Sequence, residues 1–325
     1  MKFGSVMRLE IYGESHSPSI GVRLENFPAG LTVDFEAMRA FLARRAPGRD
    51  ELSTPRREDD APEFLSGLDQ GVTTGEMIEA VIRNTNVRPA DYECFVPRPG
   101  HADYPVWAVT GRIPSGGGAN SGRMTAPMCV VGALCLQWLT RRGVTVSARV
   151  VEIGGKTENF AETILAAKQA GDSVGGVISA EISGMPVGIG GPMFDGLESQ
   201  ISAAVFGIPG VKGIEFGNGF EAARLRGSEN NDAFAIAGGK VVTSTNRHGG
   251  ILGGRSSGMP ITFRVAMKPT PSIFLPQRSV DLSAMREVEL SVRGRHDPCI
   301  ALRAVPVVEA VSAFAVMDVI LRGVK

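Results

Sequence analysis

Cysteine is scarce in this 325-residue chain. Four occur (Cys94, Cys129, Cys135 and Cys299), with no CxxC pair, so neither a zinc site nor a disulfide framework is indicated. A dominant charge is also missing. Lys plus Arg and Asp plus Glu both number 34, for a formal net charge of +0. No global field draws the chain to nucleic acid or to an anionic membrane, and any anion site must be local. Long apolar runs are lacking too. The two most apolar stretches, 126–140 and 305–321, are interrupted by Gln137 and by Glu309 and Asp318. Both fall short of the roughly 18 uncharged apolar residues expected of a membrane span. The opening MKFGSVMRLEIYGESH holds no apolar region of roughly 7–15 residues before a cleavage site, so no secretory signal is read there. A soluble cytoplasmic protein is expected.

What the chain has is a core and many turns. Hydrophobic residues make up 43%, and 41 glycines and 20 prolines are spread along the whole length. That distribution, without low-complexity runs, predicts one domain over residues 1–325. Phe35, Met38, Phe41 and Leu42 have helical spacing after Asp34, a capping residue, and Pro47-Gly48 ends that helix. Residues 75–84, 160–170 and 194–206 also read as helices. Residues 19–24, 149–153, 176–182, 211–216 and 261–267 read as strands. Two further helices, 128–139 and 305–321, are apolar on almost every face and must be covered all round. An internal helical layer with sheets outside it satisfies them.

All four histidines (His16, His101, His248 and His296) lie in short segments dense in Gly, Pro or charge, and none in an apolar periodic run. Histidine is the side chain whose ordinary pKa is near neutrality, so this placement suggests an active site assembled from distant loops. Gly13-Glu14-Ser15-His16-Ser17 reads alone as a polar turn. Arg39, Arg44, Arg45, Arg49, Arg56 and Arg57 leave a helix end for a loop. They suit a multiply charged anion and equally a solvated face neutralised by Glu58, Asp59 and Asp60. In Arg98-Pro-Gly-His101-Ala-Asp103 the acid stands where it could orient the imidazole. Ser115–Arg123, with four glycines, opens a buried helix and offers a backbone suited to phosphate or flavin.

The 246–260 segment carries five glycines and leads through a strand to Lys268-Pro-Thr-Pro-Ser272, where a lysine and two hydroxyls could complete a phosphate pocket. Arg293-Gly-Arg295-His296-Asp297 enters the second buried helix and suits proton transfer, an anion or a structural ion pair. Two motifs fail their context. Gly217–Ala222 fits GxGxxA without a following βαβ unit. Gly254–Gly258 fits GxSxG but precedes a strand, whereas a nucleophile elbow requires a helix.

In order, GESH, RRAPG, TPRRED, LSG…GVTTG, RPGHADY, GGG…R-x-T, GGILGG…GMPI, KPTPSI and GRHDPC…RAVP resemble the chorismate synthase family along essentially the whole chain. The resemblance implies an α+β fold, a β-α-β sandwich with the helical layer between two antiparallel sheets, assembled as a homotetramer. It implies a lyase of the shikimate pathway that converts 5-enolpyruvylshikimate-3-phosphate to chorismate by trans-1,4-elimination of phosphate. Reduced FMN would lend and recover an electron, supplied by a separate reductase with NADPH as an indirect source. The competing expectations are a divergent FMN- or phosphate-binding homologue without turnover and a generic FMN oxidoreductase.

The family motifs assign His16 as proton donor to the leaving phosphate, His101 as the group beside the flavin, and Asp297 as assisting removal of the substrate proton. Ser15, Arg44, Arg45, Arg49 and Arg123 are the expected substrate contacts. Asn120, Ser121, Gly253, Lys268, Pro269, Thr270, Pro271, Ser272 and Arg295 are the expected FMN contacts. The chain departs from the family at Ser17, usually Gly, at Ala119, usually Arg, and at Met124, usually an acid. It also has Glu51 where a second arginine is usual. Arg112 and Arg49 are the expected stand-ins for the missing guanidiniums.

Overall fold

The structure, a computed structural model, describes residues 1–48, 51–53, 58, 60–85, 95–292 and 296–323. One sheet takes β1 (Lys2–Phe3), β2 (Arg8–Gly13), β3 (Ser19–Glu25), β4 (Glu63–Ser66) and β5 (Ile78–Arg83) in the order β1-β2-β3-β5-β4. The other takes β6 (Thr145–Ile153), β7 (Gly176–Ser183), β8 (Val211–Phe216) and β9 (Ile261–Met267) in the order β8-β9-β7-β6. Every pairing in both sheets is antiparallel. The principal helices are α1 (Phe35–Arg45), α2 (Asp103–Thr110), α3 (Thr125–Thr140), α4 (Phe160–Gln169), α5 (Leu197–Phe206) and α6 (Ala301–Arg322).

The all-round apolarity of α3 and α6 determines the layering. α3 packs on β3 and β5, α6 packs on β6 and β7, and the two helices pack on each other. They approach closely because Gly132 of α3 has no side chain; a Cβ there would lie 2.2 Å from that of Ala310. The expected helical layer between antiparallel sheets is what forms. Among the described residues α6 is the one helix long and apolar enough to cross a membrane, and it is buried along most of its length. Truncating a side chain such as Leu134, which is 0% exposed, would cost on the order of 2–5 kcal/mol.

Two carboxylates are buried in α6, and each is matched by donors, as burying a charge requires. Glu309 accepts both Nη atoms of Arg44 at 2.6 and 2.9 Å and the amide of Ala148 at 2.9 Å. Asp318 accepts the amides of Ser5, Val6 and Met7 at 3.1, 2.9 and 2.8 Å and the Ser5 hydroxyl at 2.8 Å. The last helix thus holds the loop between the first two strands.

Most expected elements form. α1 is capped by Asp34, whose carboxylate accepts the Ala37 amide at 2.9 Å, and it ends before Pro47. The stretch 75–84 is a correction: it forms β5, not a helix. Its Ile78-Glu-Ala-Val-Ile82 core is β-branched, and β5 lies between β3 and β4. Pairing on both edges overrides the local helical spacing. The GxGxxA segment forms a short 3₁₀ turn at Gly219–Arg224 after β8, in keeping with the rejected dinucleotide reading.

Candidate active site

The site begins with the turn Ser115-Gly-Gly-Gly118. Gly116, Gly117 and Gly118 all have positive φ, at 61°, 86° and 53°, a region that residues with a Cβ avoid. The absent side chains matter as much as the angles. A Cβ on Gly116 would lie 2.8 Å from Cε1 of His16, and one on Gly117 would lie 2.8 Å from Cε1 of His101. Two imidazoles from distant segments therefore rest against consecutive residues of one turn.

Each ring is fixed from behind. Nδ1 of His16 lies 2.8 Å from the Ser115 hydroxyl. Ser15, 1% exposed, points under the turn and donates to the carbonyls of Ser115 and Gly116. Ser17 closes the loop, donating to the Glu14 and Ser19 carbonyls and accepting the Glu14 amide.

Nδ1 of His101 lies 2.6 Å from Oδ1 of Asp103. The Arg98 guanidinium donates to both oxygens of the same carboxylate, at 2.7 and 2.9 Å, and to Ser272 Oγ at 3.1 Å. Burial alone would raise the Asp103 carboxyl, but the hydrogen bonds from Arg98 and His101 outweigh it and hold the pKa well below the usual range. An ionised carboxylate can only accept, so Nδ1 of His101 is the donor. Nε2 is left toward Gly117 and Arg98 Nη2, which lies 3.3 Å away.

Beside these rings is a cavity of about 540 Å³, within the range of sites that take whole small ligands. Among the described residues its ionisable side chains include Arg45, Arg98, Arg123, Lys268 and Arg303, against Asp297. Asp60, 4% exposed, joins the first group from behind. It accepts Nε of Arg45 at 2.5 Å on one oxygen and Nη1 of Arg123 on the other. Burial opposes the charge on Asp60, yet the two guanidiniums hold its pKa low. Arg123 also donates to Asn84 at 3.0 Å, and Arg303 donates to Asp297 at 2.5 Å and to the Arg45 carbonyl at 2.8 Å.

Among the described residues, Nη2 of Arg45, Nη2 of Arg123 and Oγ1 of Thr270, all on residues that line the cavity, are buried without a hydrogen-bond partner. Unmet donors of this kind are costly unless a ligand satisfies them. They fit ligand phosphate or carboxylate oxygens.

The structure brings together most of the expected residues. His101, Asn120, Ser121, Arg45, Arg123, Lys268, Thr270, Pro271, Ser272 and Asp297 line the cavity, and His16 adjoins it across Gly116. Lys268 Nζ donates to the Gly100 carbonyl, and burial with the nearby Lys212 pushes its pKa down.

Others lie elsewhere. Arg44 is turned to Glu309 in the helical layer. Pro269 faces a second recess of about 300 Å³, and Gly253 sits in the turn joining Ile251–Leu252 to Arg255–Ser256. Arg49 and Arg295 lie outside the described residues. Arg112, expected to replace a missing guanidinium, is largely exposed and lies 3.7 Å from Glu14. Ala119 lines the cavity, whereas Met124 is packed in the core at 1% exposure. Arg98 and Arg303 were not among the expected site residues. The one visible signal for Arg98 was its place beside the His101 turn.

Buried cations with unmet donors beside two fixed imidazoles are suited to holding and expelling an anionic group. Release of a phosphate from carbon, the work of a carbon–oxygen lyase acting on phosphates, is one chemistry such a site suits. The chorismate synthase family model matches residues 7–321. The chain is 43% identical to the chorismate synthase of Korarchaeum cryptofilum, with 99% of this chain and 98% of the relative covered. It is 42% identical to that of Thermococcus kodakarensis, covering 98% and 97%. A crystal structure of a chorismate synthase superposes with a TM-score of 0.75 at 27% identity, covering 98% of this chain and 92% of that one. The chain belongs to the chorismate synthase family.

Proposed function

We propose that this protein converts 5-enolpyruvylshikimate-3-phosphate to chorismate and inorganic phosphate by a trans-1,4-elimination, using reduced FMN. The observation that carries the reading is the pair of unmet guanidinium donors on Arg45 and Arg123, buried beside His101 and the His16–Gly116 contact. The substrate bears a phosphate and two carboxylates, the ligand chemistry those donors require. Across the reaction one carbon–hydrogen and one carbon–oxygen bond break, a double bond forms, and the electrons balance without net oxidation.

Arg45 and Arg123 orient the substrate anions, and their burial strengthens each charge-assisted hydrogen bond. His16 delivers a proton to the departing phosphate, a contribution of roughly 10²–10⁴-fold for a well-placed general acid. His101, anchored through Nδ1, exchanges a proton at Nε2. Asp297, steadied by Arg303, receives the proton lost from the substrate.

The residues present fit a flavin phosphate and ring. Asn120, Ser121, Lys268, Thr270 and Ser272 would hold it, and the bare backbone of the glycine turn allows close approach. When bound, reduced flavin supplies an electron to the substrate transiently and recovers it. A separate reductase supplies the reduced flavin, with NADPH as the indirect source. The whole chain acts as one domain in a soluble, cytoplasmic homotetramer. The exposed apolar side chains Phe234, Ile236 and Val241 on the 234–243 hairpin support self-association.

The test is an anaerobic assay with purified protein, the enolpyruvyl substrate and dithionite-reduced FMN, following phosphate release and chorismate absorbance. Chorismate formed over many turnovers per flavin is the expected result. Flavin binding without product would identify a homologue that has lost turnover, and stoichiometric flavin oxidation would indicate an ordinary oxidoreductase.

A further inference from the structure

A second constellation lies outside the cavity, where no part of the elimination chemistry needs it. His248 is held between Asp232 and Ser257: its Nδ1 bonds the Asp232 carboxylate, and its Nε2 lies 3.0 Å from the Ser257 hydroxyl. None of the three lines the cavity. The geometry points to Ser257 as an activated nucleophile, with His248 as its base and Asp232 as the orienting acid, able to take acyl groups from small activated esters.

The hydrogen-bond directions are determined by Asp232. Its carboxylate accepts the Arg247 and His248 amides, both at 2.9 Å, and the Thr245 hydroxyl. Burial acts against its charge, but these bonds and the one from His248 keep the pKa well below the ordinary range. An ionised Asp232 makes Nδ1 of His248 a donor, which leaves the Nε2 lone pair facing the Ser257 hydroxyl proton. This is the order of roles in a nucleophile–base–acid triad.

Ser257 Oγ also accepts the Met259 amide at 3.3 Å, so one lone pair remains for attack. The Ser257 amide itself bonds the Gly250 carbonyl at 2.9 Å, which fixes the residue from behind. Gly258 follows with a φ of 86° and is exposed. The exposed side chain of Val187 stands beside Gly258 and offers a small apolar rest for an acyl group. The nucleophile is not the middle serine of GxSxG: Ser256 donates to the Pro186 carbonyl at 2.5 Å and is 2% exposed.

With an ester, the Oγ–C bond forms and the bond to the alcohol oxygen breaks. His248 carries the Ser257 proton to the departing alkoxide, and water then releases the acyl group as a carboxylate. With a fluorophosphonate, Oγ–P forms, P–F breaks, fluoride leaves, and the proton stays on Nε2.

The test treats the full-length protein with a fluorophosphonate probe and maps the adduct by peptide mass spectrometry. The expected adduct is on Ser257 and not on the adjoining Ser256, is lost in Ser257→Ala, and forms about 10²-fold more slowly in His248→Gln. No adduct at Ser257, equal labelling of both serines, or an unchanged rate in His248→Gln would overturn the proposal. The comparison of Ser256 with Ser257 is made in the unaltered protein, so it stands even if His248→Gln does not fold.

Discussion

Gly117→Ala separates the cost of a backbone from the cost of a displaced catalytic ring. At a φ of 86°, a side chain adds about 1–2 kcal/mol of local strain, which a domain of ordinary stability survives. The new methyl would also stand 2.8 Å from Cε1 and 2.9 Å from Nε2 of His101, whereas carbon atoms in comfortable contact are roughly 3.5–4.0 Å apart. The imidazole cannot retreat freely, because Asp103 holds its other side at 2.6 Å. A misplacement approaching 1 Å costs on the order of 10²-fold in rate. Gly30→Ala is the control, with a φ of 87° and nothing within 4 Å of the added Cβ. Thermal unfolding and steady-state chorismate formation would be measured on both variants. Both should lose similar stability, and Gly117→Ala alone should lose about 10²-fold in kcat. Equal kcat in the two variants would refute the account of the glycine turn as a seat for His101.

His16→Ala and His101→Ala should leave the melting temperature nearly unchanged and lower turnover by roughly 10²–10⁴-fold; full activity in either removes its assigned role. Asp103→Asn should slow turnover and alter acid unfolding. The folded Asp103 pKa lies below the unfolded value of 3.8, so its stabilising effect is complete above about pH 4 and fades as pH falls toward the folded value. The unaltered protein should therefore lose stability below pH 4 more steeply than the variant in a urea titration series. Arg45→Lys should raise KM for the substrate. Arg44→Met should leave KM unchanged and cost roughly 1–3 kcal/mol by leaving Glu309 under-satisfied, measured by denaturant midpoint.

The sequence revealed layers and motif loops more readily than facing directions. α3 and α6 were legible because helices apolar on every side have few places to go. The glycine turn was legible because three consecutive glycines ahead of a helix expose backbone donors. Arg44 and Arg45 were not separable by any local rule. Adjacent helical residues point about 100° apart, and only the packed neighbours decide that one meets Glu309 and the other Asp60. β5 is hidden from a local reading because its helical spacing is local while its pairing partners are β3, more than fifty residues earlier, and β4. The role of Arg98 is not visible locally, since its contact with Ser272 spans 174 positions.

The tie between Asp318 and the amides of residues 5–7 orders events during synthesis. Strands near the start of the chain leave the ribosome long before their acceptor exists, and a contact separated by 311 positions is among the slowest kinds to close. Until the final helix docks, those amides stay open to water, and α3 and the face of β6 and β7 lack the cover that α6 gives them. Nascent intermediates should therefore be the substrates of cellular holdases, and release should coincide with docking of the last helix.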